Sequence, residues 1–142
     1  MCYHANMDIH PTDLAWIAGF LDGEGSVMIT RTGKAVSWGG RGLRLTVAAS
    51  QIKSDASEAT LRWLRGNYGG SVHNVKRSYG DYRYWFWQVT GQNAVRLLNE
   101  VLPYLRLKRR QARDGLRFAA IRQKYAPVGY HSRHLPNKAQ RS

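Results

Sequence analysis

At 142 residues, with 43% hydrophobic side chains, the chain is long enough for one domain with a true core and too short for two comfortable ones. Its 22 Lys and Arg against 9 Asp and Glu leave a formal charge of +13. That points to salt-sensitive binding of a polyanion, and to nucleic acid before an anionic membrane, because the bases are spread over the chain instead of lining one amphipathic helix. Cys2 is the only cysteine, which excludes a disulfide framework and a Cys-based zinc site, and His131 and His134 lack the partners that zinc needs. With no secretory pattern at the N-terminus and no apolar run near 18 residues, an intracellular, non-secreted protein is expected.

In chain order, an N-terminal arm over residues 1–11 leads to a helix capped by Thr12 or Asp13 and running to about Glu24, with Leu14, Ile17, Ala18 and Leu21 at helical spacing. Its second half reads Ile17-Ala18-Gly19-Phe20-Leu21-Asp22-Gly23-Glu24-Gly25. Ala18, Gly19 and Gly23 recur at about one turn, so a second helix could approach that face at backbone contact. Glycine inside a helix costs about 1 kcal/mol relative to alanine, and a monomeric surface helix would have no reason to carry two. Acids at a helix C-terminus oppose the macrodipole, which suggests another reason for Glu24.

Ser26 to Arg31 reads as a strand with Val27, Ile29 and Arg31 on one side and Met28, Thr30 and Thr32 on the other. Gly33 to Gly42 is a glycine-rich basic loop carrying Lys34 and Arg41. In Leu43 to Gln51 the alternation predicts Leu43, Leu45, Val47 and Ala49 inward and Arg44, Thr46, Ala48 and Ser50 outward. Asp55 to Tyr68 is a helix capped by Ser54 or Asp55, with Leu61, Trp63, Leu64 and Tyr68 as apolar contacts and Gly69-Gly70 as its stop.

Ser71 to Ser78 and Asp81 to Thr90 form a hairpin around Tyr79-Gly80, with the Tyr and Trp residues of the second strand expected in the core. Gln92 to about Leu102 is a helix with Val95, Leu98 and Leu102 inward, stopped by Pro103. A last helix over about Lys108 to Tyr125 turns Ala112, Leu116, Ala119 and Ala120 inward and a basic face outward. Residues 126–142 form a basic, flexible tail with little to pack.

The segment Ile17 to Gly25 resembles the motif of the LAGLIDADG homing endonucleases. The element order resembles their αββαββα core over about residues 12 to 124. A second match is Leu102-Pro103-Tyr104-Leu105-Arg106-Leu107-Lys108, similar to the family's proline-containing turn with a lysine near the active site.

The resemblance implies an α+β fold: one endonuclease domain over residues 12–125, with a four-stranded antiparallel DNA-binding sheet and C-terminal helices. It implies that Glu24, with the Gly23 backbone, holds a divalent metal, Mg2+, beside the scissile phosphate. Lys108 would stabilise developing charge and Gln51 would orient water. An arginine that the family often places beyond Gln51 is missing, and Lys53 stands in that stretch. One motif copy implies an intron-encoded-type homodimer joined through Ala18, Gly19, Asp22 and Gly23.

An antiparallel ribbon fits the major groove, so base or backbone contacts are expected from Met28, Thr30, Thr32, Lys34, Arg41, Arg44, Thr46, Ser50, His73 and Arg77, with Arg133 and Lys138 of the tail adding phosphate contacts. The expected function is metal-dependent, site-specific cleavage of double-stranded DNA at a long pseudo-palindrome. The alternatives are an intron-RNA maturase and a non-cleaving DNA-binding protein of the same fold.

Overall fold

A computed structural model describes residues 9–35, 41–76 and 83–125. The elements are α1 (Pro11–Glu24), β1 (Gly25–Ala35), β2 (Arg41–Ile52), α2 (Asp55–Tyr68), β3 (Ser71–Lys76), β4 (Arg83–Thr90), α3 (Gly91–Val101), a 3-10 turn (Leu102–Tyr104) and α4 (Arg109–Tyr125). The strands form one antiparallel sheet in the order β1-β2-β4-β3, so the expected α+β fold with a four-stranded antiparallel sheet is the one observed. The expected turn at Tyr79-Gly80 and the tail over 126–142 lie outside the described residues.

Every sheet residue in the core cluster lies on one face: Val27 on β1, Leu45, Val47 and Ala49 on β2, Val72 on β3 opposite Trp87, and Trp85, Trp87 and Val89 on β4. These meet Ile17, Ala18 and Leu21 of α1, Leu61, Leu64 and Tyr68 of α2, and Ala94, Leu97, Leu98 and Val101 of α3. Burying apolar surface at about 25 cal/mol per Å² makes this layer the main source of stability. No residue of the opposite face belongs to the cluster, which leaves the second face of the sheet for something else.

Several local expectations need correction. α1 begins one turn early: Pro11 takes the first helical position, where its missing N–H costs nothing, and the Asp13 carboxylate accepts the His10 N–H at 3.3 Å, so the cap is His10 and not Thr12 or Asp13. Trp63 does not point into the core. It stands edge-on to Trp16, ring centroids 6.0 Å apart, while Trp16 stacks on Phe20 at 5.3 Å. Ala94, Leu97 and Val101 are buried beside Leu98 on α3, whereas Val95 and Leu102 are only half-buried. On α4 the residue against the sheet is Gly115, and Ala120 is exposed. Ser54 does cap α2, by reciprocal bonds with Ser57 of 2.9 and 3.0 Å.

On β4 the alternation sorts the aromatics. Trp85 and Trp87 join the core, as expected, and the Trp87 indole N–H donates to the Gly69 carbonyl at 3.0 Å. Tyr84 has the opposite parity, with Phe86 beside it, so Tyr84 is not a core residue. Thr46 and Ala48, expected on an exposed outer face, are 2% and 3% exposed, because short side chains on a central strand are overshadowed by longer neighbours.

Candidate active site and nucleic-acid interface

α1 ends where the sheet begins. Gly25 is both the residue after the helix and the first residue of β1, and a Cβ there would lie 2.9 Å from the Leu21 backbone. Only glycine lets the strand leave so close to the last helical turn, and this sharp exit leaves Glu24 exposed at the helix end. Glu24 takes part in no hydrogen bond or ion pair with a described residue, so its carboxylate is available.

Asp22 is fully engaged. Its carboxylate accepts the backbone N–H groups of Arg106 at 2.8 Å, Leu107 at 3.0 Å and Lys108 at 2.9 Å. Burial pushes its carboxyl up, but the three N–H groups and the nearby Lys108 charge outweigh that and hold it below the ordinary aspartate value of 3.8. The Lys108 ammonium donates to the Asp22 carbonyl oxygen at 2.6 Å. α1 has no basic residue in its last turn, so Lys108 supplies the cation its C-terminus lacks.

Gln51 reaches the same end of the sheet through register. Gly25 pairs with Ala49, so Gln51 lies two residues further along β2, level with the end of α1. It pairs with Trp85 and is half-buried. Glu24, Asp22, Lys108 and Gln51 thus gather at one end of the fold. Asp22 was expected in a helix seam, and the structure gives it to the Arg106–Lys108 loop instead. The adverse position of an acid at a helix C-terminus was the signal for a special role.

The exposed side of α1 is open. Added Cβ atoms at Gly19 and Gly23 would meet nothing within 4 Å, so nothing among the described residues explains why these positions lack side chains. Ala18, expected in the same seam, is instead 0% exposed inside the chain's own core. Beside the open strip, Trp16 and Trp63 line a groove of about 330 Å³ with Asp13, Ala59 and Thr60, an aromatic flank that helical spacing alone did not reveal.

On the sheet face turned away from the helices, Met28 and Arg44 are exposed and Ser50 half-buried. The Thr30 and Thr46 hydroxyls are 2.6 Å apart and bond each other. His73 is exposed, its ring 5.2 Å from that of Phe86. Thr32 and Lys34 fall within β1 and Arg41 opens β2. Arg77, Arg133 and Lys138 lie outside the described residues. Among the described residues no three His, Cys, Asp or Glu side chains form a metal cluster; with the Asp22 carboxylate taken up by the Arg106–Lys108 amides, Glu24 is the carboxylate at this corner that has no described partner.

The fold recurs in solved structures. The homing endonuclease I-CvuI in complex with its target, in the presence of Ca, matches with a TM-score of 0.61 at 25% identity over 77% of this chain and 66% of that one. The same enzyme crystallised with Mg and uncleaved DNA matches at 27% identity and a TM-score of 0.59. The archaeal intron-encoded homing endonuclease I-Vdi141I, complexed with DNA, gives a TM-score of 0.59 at 16% identity over 86% of this chain and 77% of that one. The LAGLIDADG meganuclease I-AabMI, bound to uncleaved DNA, gives 0.62 at 21% identity over 79% of this chain and 39% of that one. This chain therefore spans just under two thirds of the length of I-CvuI. No protein-family model and no curated protein matches it in sequence.

Proposed function

The chain carries the LAGLIDADG homing endonuclease fold, and from that premise we propose that it cuts double-stranded DNA at a specific, pseudo-palindromic site as a homodimer, using a divalent cation, with Mg2+ as the physiological ion. The observation that carries the reading is the uncommitted carboxylate of Glu24, exposed at the end of a helix whose glycine strip is open. Two copies packed on that strip bring two Glu24 side chains together beneath the DNA.

The donor set suits a hard cation: the Glu24 carboxylate and the Gly23 carbonyl of each copy would hold it through oxygen. When bound, the cation neutralises charge at the scissile phosphate and lowers the pKa of water. Lys108, held by Asp22, carries the positive charge that steadies the phosphate as negative charge develops on it. Gln51 orients the attacking water through hydrogen bonds and does not titrate.

The open sheet face binds the major groove, with Arg44, Met28, Ser50 and His73 as its exposed or half-exposed described contacts. The Thr30–Thr46 pair stiffens the strands between them. The test is digestion of a randomised duplex library by the full chain with Mg2+. Enrichment of one pseudo-palindromic site cut on both strands supports the proposal, and random degradation or intact DNA at saturating binding contradicts it.

A further inference from the structure

The charge of α4 points away from the proposed DNA face. Gly115 fixes the orientation of this helix: a Cβ added there would lie 2.7 Å from Leu45 Cδ1 and 3.4 Å from Val27 Cγ1, so this residue looks straight at the sheet. At about 100° per residue, Arg113 and Arg117 project about 160° from that direction, and Arg110 about 140°. All three are exposed, and none makes an ion pair or hydrogen bond with a described residue. The only acid of α4, Asp114, sits at the margin of the stripe about 100° from Gly115. The three arginines lie within eight residues, seven rises or about 10 Å of helix.

A run of like charges on a helix repels itself and costs stability unless a counter-charge arrives. A duplex seated on the outer sheet face cannot also reach side chains that project through the opposite side of the domain. We infer that this stripe is a second nucleic-acid site, which binds the phosphate backbone of another duplex DNA segment, so that the protein bridges two duplexes. Duplex DNA is favoured over structured RNA because α4 is packed on the sheet and on α3 and offers only its outer surface. A half-embedded helix can lie along a backbone but cannot enter the narrow, deep groove of A-form RNA. The exposed arginines of a helix that does not enter a groove meet phosphates and not base edges, so the contact is independent of sequence.

The site rests on the DNA-binding part of the proposed function and is read without cleavage, so the two can fail separately. The test uses the full chain and a triple variant, Arg110→Gln, Arg113→Gln and Arg117→Gln, which removes charge while keeping good helix formers. Protein is loaded on a bead-bound cognate duplex, and capture of a second, labelled duplex is measured with Ca2+ in place of Mg2+.

The wild type should capture the second duplex, and the variant should capture it at least about tenfold less, in line with the loss of several phosphate contacts. Affinity for a single short cognate duplex, and its salt slope, should stay as in the wild type. The inference is overturned if the wild type captures nothing, if the folded variant captures as well as the wild type, or if the salt slope on the single duplex flattens by about 0.9 per charge removed, which would seat the stripe on the first duplex. It is overturned equally if a structured RNA displaces the second duplex at lower concentration than unlabelled duplex does.

Discussion

Three consecutive backbone N–H groups, the last belonging to Lys108, converge on the carboxylate of Asp22, and the Lys108 side chain returns to the Asp22 carbonyl oxygen at 2.6 Å. The two residues are 86 positions apart, and their mutual grip fixes the loop before α4 to the end of the helix that carries Glu24. A motif acid and a distant lysine thus form one positioning unit.

Asp22→Ala should therefore destabilise the fold by about 1–2 kcal/mol, the usual cost of losing a side chain that satisfies several orphan amides. Because the folded carboxyl is held below its ordinary value of 3.8, its contribution is fully present above that pH and is lost as pH falls through the lower, folded value. Thermal unfolding from pH 7 down to pH 2 should show a constant gap between wild type and variant at the upper end and a closing gap below about pH 4. A gap that stays constant to the lowest pH would contradict the assignment.

Gly19 separates a partner's contribution from the chain's own. An added Cβ meets nothing within 4 Å among the described residues, so Gly19→Ala should stabilise the isolated helix by up to about 1 kcal/mol. Gly19→Leu should still fold, by circular dichroism, but run as a monomer in light scattering and lose cleavage. A Gly19→Leu protein that remains dimeric and active would remove the glycine strip from the interface.

Two residues on the same face of β2 make a further contrast. Thr46 is buried and bonded to Thr30, so Thr46→Val should cost about 1 kcal/mol of stability and leave the sequence preference of binding unchanged. Arg44 is exposed in the same strand, and Arg44→Ala should weaken cognate binding by about 1–3 kcal/mol and relax preference at one base position. Binding-site selection with each variant checks both, and an altered preference in Thr46→Val would show that the hydroxyl leaves Thr30 to read DNA.

The element order and the antiparallel sheet were legible in the sequence because the strands alternate cleanly and Ser54, Gly69 and Pro103 punctuate them. Glu24 and Lys108 were legible through local motifs. The bond between Asp22 and the Arg106–Lys108 loop was not, since no periodicity reports a contact 86 residues apart. Ala18 was assigned to the seam because small residues look alike in a one-dimensional pattern. Only the packing of α1 on its own core separates it from Gly19 one position later. Trp63 reads as an apolar contact of its helix beside Leu61 and Leu64, and what it meets is Trp16 at the surface.

The most direct test of the account is Glu24→Gln in the full chain, assayed with Mg2+ on the cognate duplex. Glu24 is exposed and bonded to no described residue, so the substitution leaves the fold and the sheet intact. A neutral amide of the same size cannot balance a divalent charge. Binding should stay within about threefold of wild type, far less than the tenfold that 1.4 kcal/mol represents, with no detectable cutting of either strand. Cutting at the wild-type rate would show that the chemistry does not run through Glu24.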